Sequence, residues 1–358
     1  MQHETSCVNA KVRAMNANSD AITNKARDVR INDPPTCTPF EIVHEGGLLR
    51  LRHYEPVAKS AGPPVMLVYS LIKRPYILDL VPTRSVVRSL LRQGFSVYLT
   101  DWLPPELADA GRGFDAYVNE DLARAVACVQ RREGVEQISL IGCCFGGILC
   151  VIYAALHPAT VKHLVPFASP FEMHPALVPG SVECVTAMYG NVPAWLIHAG
   201  LNAQVPARLN LPLYLAQDLG EPELVQSNLD SEPRFRTAIQ KWMNSDVPLA
   251  GRVFREMMRD AYWNSQLAEN RLRVGDQQVT LEHITCPVLN IAGVRDQLVP
   301  PESAAALIEH VGSREASNLV FPTGHLGLMV SLAAQRDLWP RIGNWLRTNG
   351  DQYANAAT

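Results

Sequence analysis

A chain of 358 residues with 47% hydrophobic and 19% charged side chains is long enough for one large domain, or for a domain carrying an inserted segment. Its formal charge of −3 offers nothing to attract nucleic acid or an anionic membrane surface. No apolar run approaches the length of a membrane-spanning helix, and MQHETSCVNAKVRAMNANSD has no apolar core of a secretory signal, so neither a span nor export is expected.

Residues 1–38 are polar, weakly patterned and end in DPPTCTP, which predicts a mobile N-terminal arm. Ile42 to Tyr54 alternates around Glu45-Gly46-Gly47, a hairpin signal. PVMLVYSL, from Pro64 to Leu71, is a continuous apolar run and predicts a central strand. RPYILDLVPTRSVVRSLLRQGF then predicts a turn and an amphipathic helix ending at Gly94, with the next strand over Ser96 to Asp101. Helical spacing covers Phe114 to Glu133. Ile138 to Ile141 reads as a buried strand, Ile148 to Ala155 as a buried helix, and Val161 to Ala168 as a further strand.

This alternation implies an α/β domain with a mostly parallel sheet covered on both faces. From residue 170 to 275 the pattern breaks into helical pieces separated by Pro and Gly and rich in Leu, Met, Tyr and Trp. An insertion of that kind is a lid over the site or a dimer contact, so the core is assigned to 39–169 and 276–350. Strands are predicted again at Pro287 to Ala292 and Ala316 to Phe321, with helices over Glu302 to Val311 and Leu332 to Leu346. NGDQYANAAT reads as a frayed tail.

The chemistry gathers at the turn between the Ile138 strand and the Ile148 helix. Gly142-Cys143-Cys144-Phe145-Gly146-Gly147 has the layout of a nucleophile elbow, with cysteine in the place usually held by serine. Cys144 has glycine two residues before and two after it; Cys143 has Ile141 and Phe145 there and reads as a neighbour packed under the turn. The sequence is neither G-x-G-x-x-G nor a P-loop, which argues against a dinucleotide or phosphate cradle. At the start of a helix the dipole favours a thiolate. The eight cysteines form no C-x-x-C pair and several lie in apolar runs, so reduced thiols in a cytoplasmic protein fit best.

A cysteine nucleophile needs a base and a group to orient that base. In a fold of this kind the order is nucleophile, acid, histidine, with the last two on loops after late strands. Asp296 directly follows PVLNIA in AGVRDQLVPP, and His325 follows ASNLVF in PTGHLGLMVS. An oxyanion hole needs two backbone donors: Phe145 N–H is the first, and the second falls near Leu71 or Ile72, with Ile72 preferred. Lys73 and Arg74 beside it are either a phosphate contact or a solvated loop. No cofactor and no metal is expected.

GCCFGG, RPYILDL, LLRQGFSVYLTDW, YGNVP, LNIAGVRDQLVPP and GHLGLMVS together resemble the poly(3-hydroxyalkanoate) synthases, in particular the short catalytic subunits of classes III and IV. The resemblance runs from about residue 40 to 346. It implies an α/β-hydrolase core with a helical cap, a triad matching Cys144, Asp296 and His325, and polymerisation of hydroxyacyl-coenzyme A thioesters with release of coenzyme A. It also implies a homodimer, a second non-catalytic subunit, and a place at the surface of polyester granules. Phe145 stands where the family often has glutamine or methionine, Lys73 where asparagine is common, and Leu103 where glycine is usual. A thioesterase or esterase with a cysteine nucleophile is the alternative on the same fold.

Overall fold

The structure, a computed structural model, describes residues 37–56, 62–172, 179–204, 211–222 and 232–348. Eight strands form one sheet: β1 (Glu41–Gly46), β2 (Leu49–Tyr54), β3 (Val65–Val68), β4 (Val97–Trp102), β5 (Ile138–Cys143), β6 (Val161–Phe167), β7 (Val288–Gly293) and β8 (Ala316–Phe321). Their order is β1-β2-β4-β3-β5-β6-β7-β8. Pairing is antiparallel at β1/β2 and β2/β4 and parallel from β4 through to β8. This is the mostly parallel sheet expected, with β5 at its centre.

Parallel strands joined by helices must bury both faces, and the side chains show it. Val65, Leu67, Val97, Leu99, Ile141, Val165 and Ile291 join one core with the helices α1 (Val86–Arg92) and α11 (Trp339–Thr348). The alternate residues Met66, Tyr98, Leu140 and Leu164 point the other way and are also buried. On that side lie α2 (Ala123–Glu133) and α3 (Phe145–Leu156). Every residue of α3 but Leu156 is buried, which is why its sequence is apolar all round rather than amphipathic.

Between β6 and β7 the described residues form α4 (Pro179–Tyr189), α5 (Ala194–Gln204), α6 (Leu211–Leu219), α7 (Pro233–Met243) and α8 (Gly251–Arg255), which runs on into a π-helical turn over Glu256–Trp263. A two-residue ribbon, Arg273–Val274 against Gln277–Gln278, closes the segment. Short helices α9 (Pro301–Ala305) and α10 (Gly327–Val330) follow β7 and β8.

Three local expectations need correction. The end of the predicted arm is not loose: the Cys37 thiol, Thr38 N–H and Thr38 hydroxyl all donate to the buried Asp79 carboxylate, at 2.8, 2.9 and 2.9 Å. The remainder of the arm, and the tail after Thr348, lie outside the described residues. RPYILDLVPTRS is not a plain turn, since Asp79–Val81 pairs with Arg84–Ser85 before α1 begins under a Ser85 cap. The Glu302 helix is shorter than predicted and gives way after Ala305 to a 3₁₀ turn over Ala306–Glu309.

Candidate active site

β5 ends at Cys143, and the chain turns at once into α3. Cys144, between them, has φ 52° and ψ −124°, a conformation that costs an L-residue energy and that the surroundings must enforce. Its N–H donates to Phe167 O at 2.9 Å, which anchors the turn to β6. The three glycines are there because nothing else fits. A Cβ on Gly146 would lie 2.2 Å from Val68 O, one on Gly142 would lie 2.4 Å from Gly147 Cα, and one on Gly147 would lie 1.8 Å from Ser169 Oγ. The close approach at Gly146 also sets the start of α3 against the end of β3, so the turn that begins at Tyr69 runs past Cys144. Phe145 is buried and stacks on Phe114, with ring centroids 6.1 Å apart.

Beyond β7 and β8 the parallel ladder continues: Val294 N–H donates to Phe321 O and Arg295 N–H to Thr323 O, both at 2.9 Å. The two loops therefore travel together and deliver Asp296 and His325 to each other. His325 Nδ1 donates to Asp296 Oδ2 at 2.7 Å, and each residue is 5% exposed. Asp296 Oδ1 accepts from Leu298 N–H and Val299 N–H at 2.9 and 2.8 Å, which fixes the carboxylate plane. With Nδ1 holding the proton, Nε2 is the acceptor. Burial pulls the His325 pKa down, but the Asp296 charge and hydrogen bond and the Cys144 thiol outweigh it and raise it well above the usual value. Cys144 is thus within the electrostatic reach of His325.

Cys143 differs in kind. It is buried, its thiol meets Met329 Sδ at 3.6 Å, and burial, with Cys144 and Asp296 nearby, pushes its pKa far up. Two phenols border the turn, Tyr69 from the loop after β3 and Tyr262 from the insertion. Burial raises both pKa values well above 10, and Cys144 raises them further.

Lys73 and Arg74 are neither phosphate contacts nor solvated. Lys73 Nζ bonds Asp246 Oδ1 at 2.8 Å and Met243 O at 2.7 Å, and it lies over the Trp242 ring. Arg74 meets Asp101 Oδ1 at 2.8 Å and Trp102 O at 2.9 Å. Val247 N–H donates to Ile72 O at 3.2 Å, so the insertion holds the turn that carries Ile72. Asp218, on α6, stands against the His325 loop, and sequence reasoning gave no hint of it. An aspartate in the last turn of a helix carries no motif.

The strand order, the strained residue after β5 and the paired loops after β7 and β8 define an α/β-hydrolase-fold protein. A family model described as alpha/beta hydrolase fold matches residues 63–332. A monoacylglycerol lipase structure from Paleococcus ferrophilus superposes with a TM-score of 0.53 at 17% identity, over 84% of this chain and 99% of that one, a likeness of fold alone. The poly(3-hydroxyalkanoate) polymerase subunit PhaC of Haloferax mediterranei is 35% identical over 86% of this chain and 63% of its own length. The protein of the same name from Allochromatium vinosum is 34% identical over 86% of this chain and 88% of its own length. The chain belongs to the poly(3-hydroxyalkanoate) polymerase family.

Proposed function

We propose that the chain polymerises (R)-3-hydroxyacyl-coenzyme A thioesters into polyester with release of coenzyme A, through an acyl group held on Cys144. The observation that carries this reading is the cysteine held at φ 52° beside an imidazole bonded to a buried carboxylate, in a chain of this family. His325 Nε2 takes the thiol proton, and Cys144 Sγ attacks the thioester carbonyl. The oxyanion collects at the N–H of Phe145, at the positive end of α3, and at the N–H of Ile72. The bond to coenzyme A sulfur breaks, and His325 returns the proton to that leaving thiolate. The hydroxyl of a second hydroxyacyl unit then gives its proton to His325 and attacks the acyl-cysteine, and Cys144 leaves as the chain grows by one unit. Asp296 holds the imidazole in the required tautomer and stabilises its charge.

Exchange between two thioesters is nearly thermoneutral, so a chain on cysteine keeps its activation. Water must be kept from it, and in this reading segment 170–275 is the lid that does so, over a core of 39–169 and 276–350. The segment also carries an apolar surface: Met188, Tyr189 and Trp195 are exposed, Tyr189 and Trp195 pack edge to face, and Leu107 lies beside Gly190. That surface supports self-association as a homodimer and the docking of a second, non-catalytic subunit, with the assembly cytoplasmic at the polyester surface. Among the described residues no helix is long and apolar enough to cross a membrane. The test is incubation of the purified chain with 3-hydroxybutyryl-coenzyme A, following thiol release and product together. Polymer is expected, and free hydroxy acid as the main product would replace this reading with a thioesterase.

A further inference from the structure

The C-terminal turn of α6 is bonded to both loops of the candidate triad, although it belongs to the insertion. Gln217 O accepts from Arg295 Nε at 2.8 Å, next to Asp296, and the same guanidinium bonds Pro322 O. Asp218 O accepts from Gly324 N–H at 2.5 Å, directly before His325. The Asp218 carboxylate accepts from Gly327 N–H at 2.7 Å, two residues after His325. The fit is close enough to dictate glycine. A Cβ on Gly324 would lie 2.3 Å from Asp218 Oδ1, and one on Gly327 would lie 2.6 Å from Asp218 O. Asp218 is 5% exposed, so this is a buried carboxylate placed against the Gly327 N–H of that loop.

We infer that Asp218 is a positioning residue: it fixes the Gly324–Gly327 turn from behind, and so ties the aim of the His325 ring to the placement of α6. The inference rests on the assignment of His325 as the base. Asp296 fixes one ring nitrogen, but the ring can still swing with its backbone. Asp218 removes that freedom by holding Gly324 through its backbone carbonyl and Gly327 through its carboxylate, on either side of His325. The ionisable groups it faces are His325 on the loop after β8 and Asp296 on the loop after β7, with Tyr214 one turn back on its own helix. Its negative charge also favours the imidazolium, alongside that of Asp296. A displacement of α6 would therefore be felt at the base.

The test needs no polymer chemistry. Alkylation of Cys144 by iodoacetamide, located by peptide mass spectrometry and followed against pH, reads the thiol–imidazole pair directly. Asp218→Asn keeps the shape and removes the charge. It is expected to slow alkylation at neutral pH at least ~10-fold and to move its pH midpoint upward, because a less favoured imidazolium stabilises the thiolate less. With 3-hydroxybutyryl-coenzyme A, kcat should fall at least as far while KM stays within ~2-fold, since no substrate contact is lost. Arg295→Ala, at an exposed position, loosens the same turn without touching the triad and should shift both readouts in the same direction to a smaller extent. Wild-type alkylation rate and pH midpoint in folded Asp218→Asn overturn the inference. If that variant does not fold, an unchanged Arg295→Ala does so instead. Altered alkylation with no polymer from the wild type would leave this inference standing and remove the polymerase reading.

Discussion

Cys143 and Cys144 are adjacent in sequence, yet the fold gives them opposite chemistry. The strand end buries the Cys143 thiol against Met329, where its ionisation is strongly opposed, while the strained turn brings Cys144 into reach of His325. Cys144→Ala is therefore expected to abolish coenzyme A release, and Cys143→Ala to retain most of it. An acyl adduct on Cys143 in a peptide map would reverse the assignment. Asp296→Asn should lower turnover at least ~10²-fold, because a neutral amide neither stabilises the imidazolium nor enforces the tautomer. Its stability consequence has a defined sign. The His325 pKa is raised in the folded state, so the pair's contribution is fully present below the unfolded value of 6.5 and is lost as pH rises through the folded one. The unfolding free-energy difference between wild type and Asp296→Asn should accordingly shrink toward alkaline pH, and a difference that grows there would contradict the ion pair. Three of these residues were legible from spacing alone: glycines at both flanks marked Cys144, and a position just past a predicted strand marked Asp296 and His325.

What spacing could not reveal lies at the level of elements. Apolar runs located the sheet because burial on both faces leaves a signature in each strand by itself. Contacts between the insertion and the core leave none, since each partner looks ordinary in its own segment. Arg84 is an example: it is fully buried and bonded to Glu221 and Glu232, although nothing in its own segment marks it apart from its neighbours. Asp218 is another, and its burial has a measurable cost. Burial raises its pKa to about 6, against the opposing pull of His325 and the backbone donors, from 3.8. The folded state then holds the Asp218 proton more tightly than the unfolded chain, so stability falls as pH rises from about 4 to about 6 and is level above. At ~1.4 kcal/mol for each tenfold change in proton affinity, the loss is roughly 3 kcal/mol. Asp218→Asn lacks this term, so its stability relative to wild type should improve across that interval, as denaturant titrations at pH 4 and pH 7 can establish. A variant whose stability relative to wild type improves from pH 4 to pH 7 while its activity falls is the outcome expected of a residue kept for aim rather than for folding.

For the whole molecule, the insertion is both a structural partner of the site and a carrier of exposed apolar surface. The turn bearing Ile72 is held by Val247 and the Lys73–Asp246 pair, and the His325 turn by Asp218, so the insertion holds both turns of the candidate site. Trp195 is 61% exposed and Met188 66%, and Leu107 of the core, 73% exposed, lies beside Gly190. In the proposed assembly a partner covers that surface and favours the seated insertion, so activity should rise with partner concentration by mass action. The isolated chain is therefore expected to show a lag and a specific activity that rises with its own concentration. A second subunit that binds the same surface should shorten the lag at low enzyme concentration. Trp195→Glu should weaken self-association in analytical ultracentrifugation and lengthen the lag, while leaving the iodoacetamide reactivity of Cys144 in the concentrated protein within ~2-fold of wild type, since the triad itself is untouched. Lag-free synthesis by a dilute monomer, unaffected by any partner and by Trp195→Glu, would show instead that the insertion seats without help and that its apolar face serves some other end.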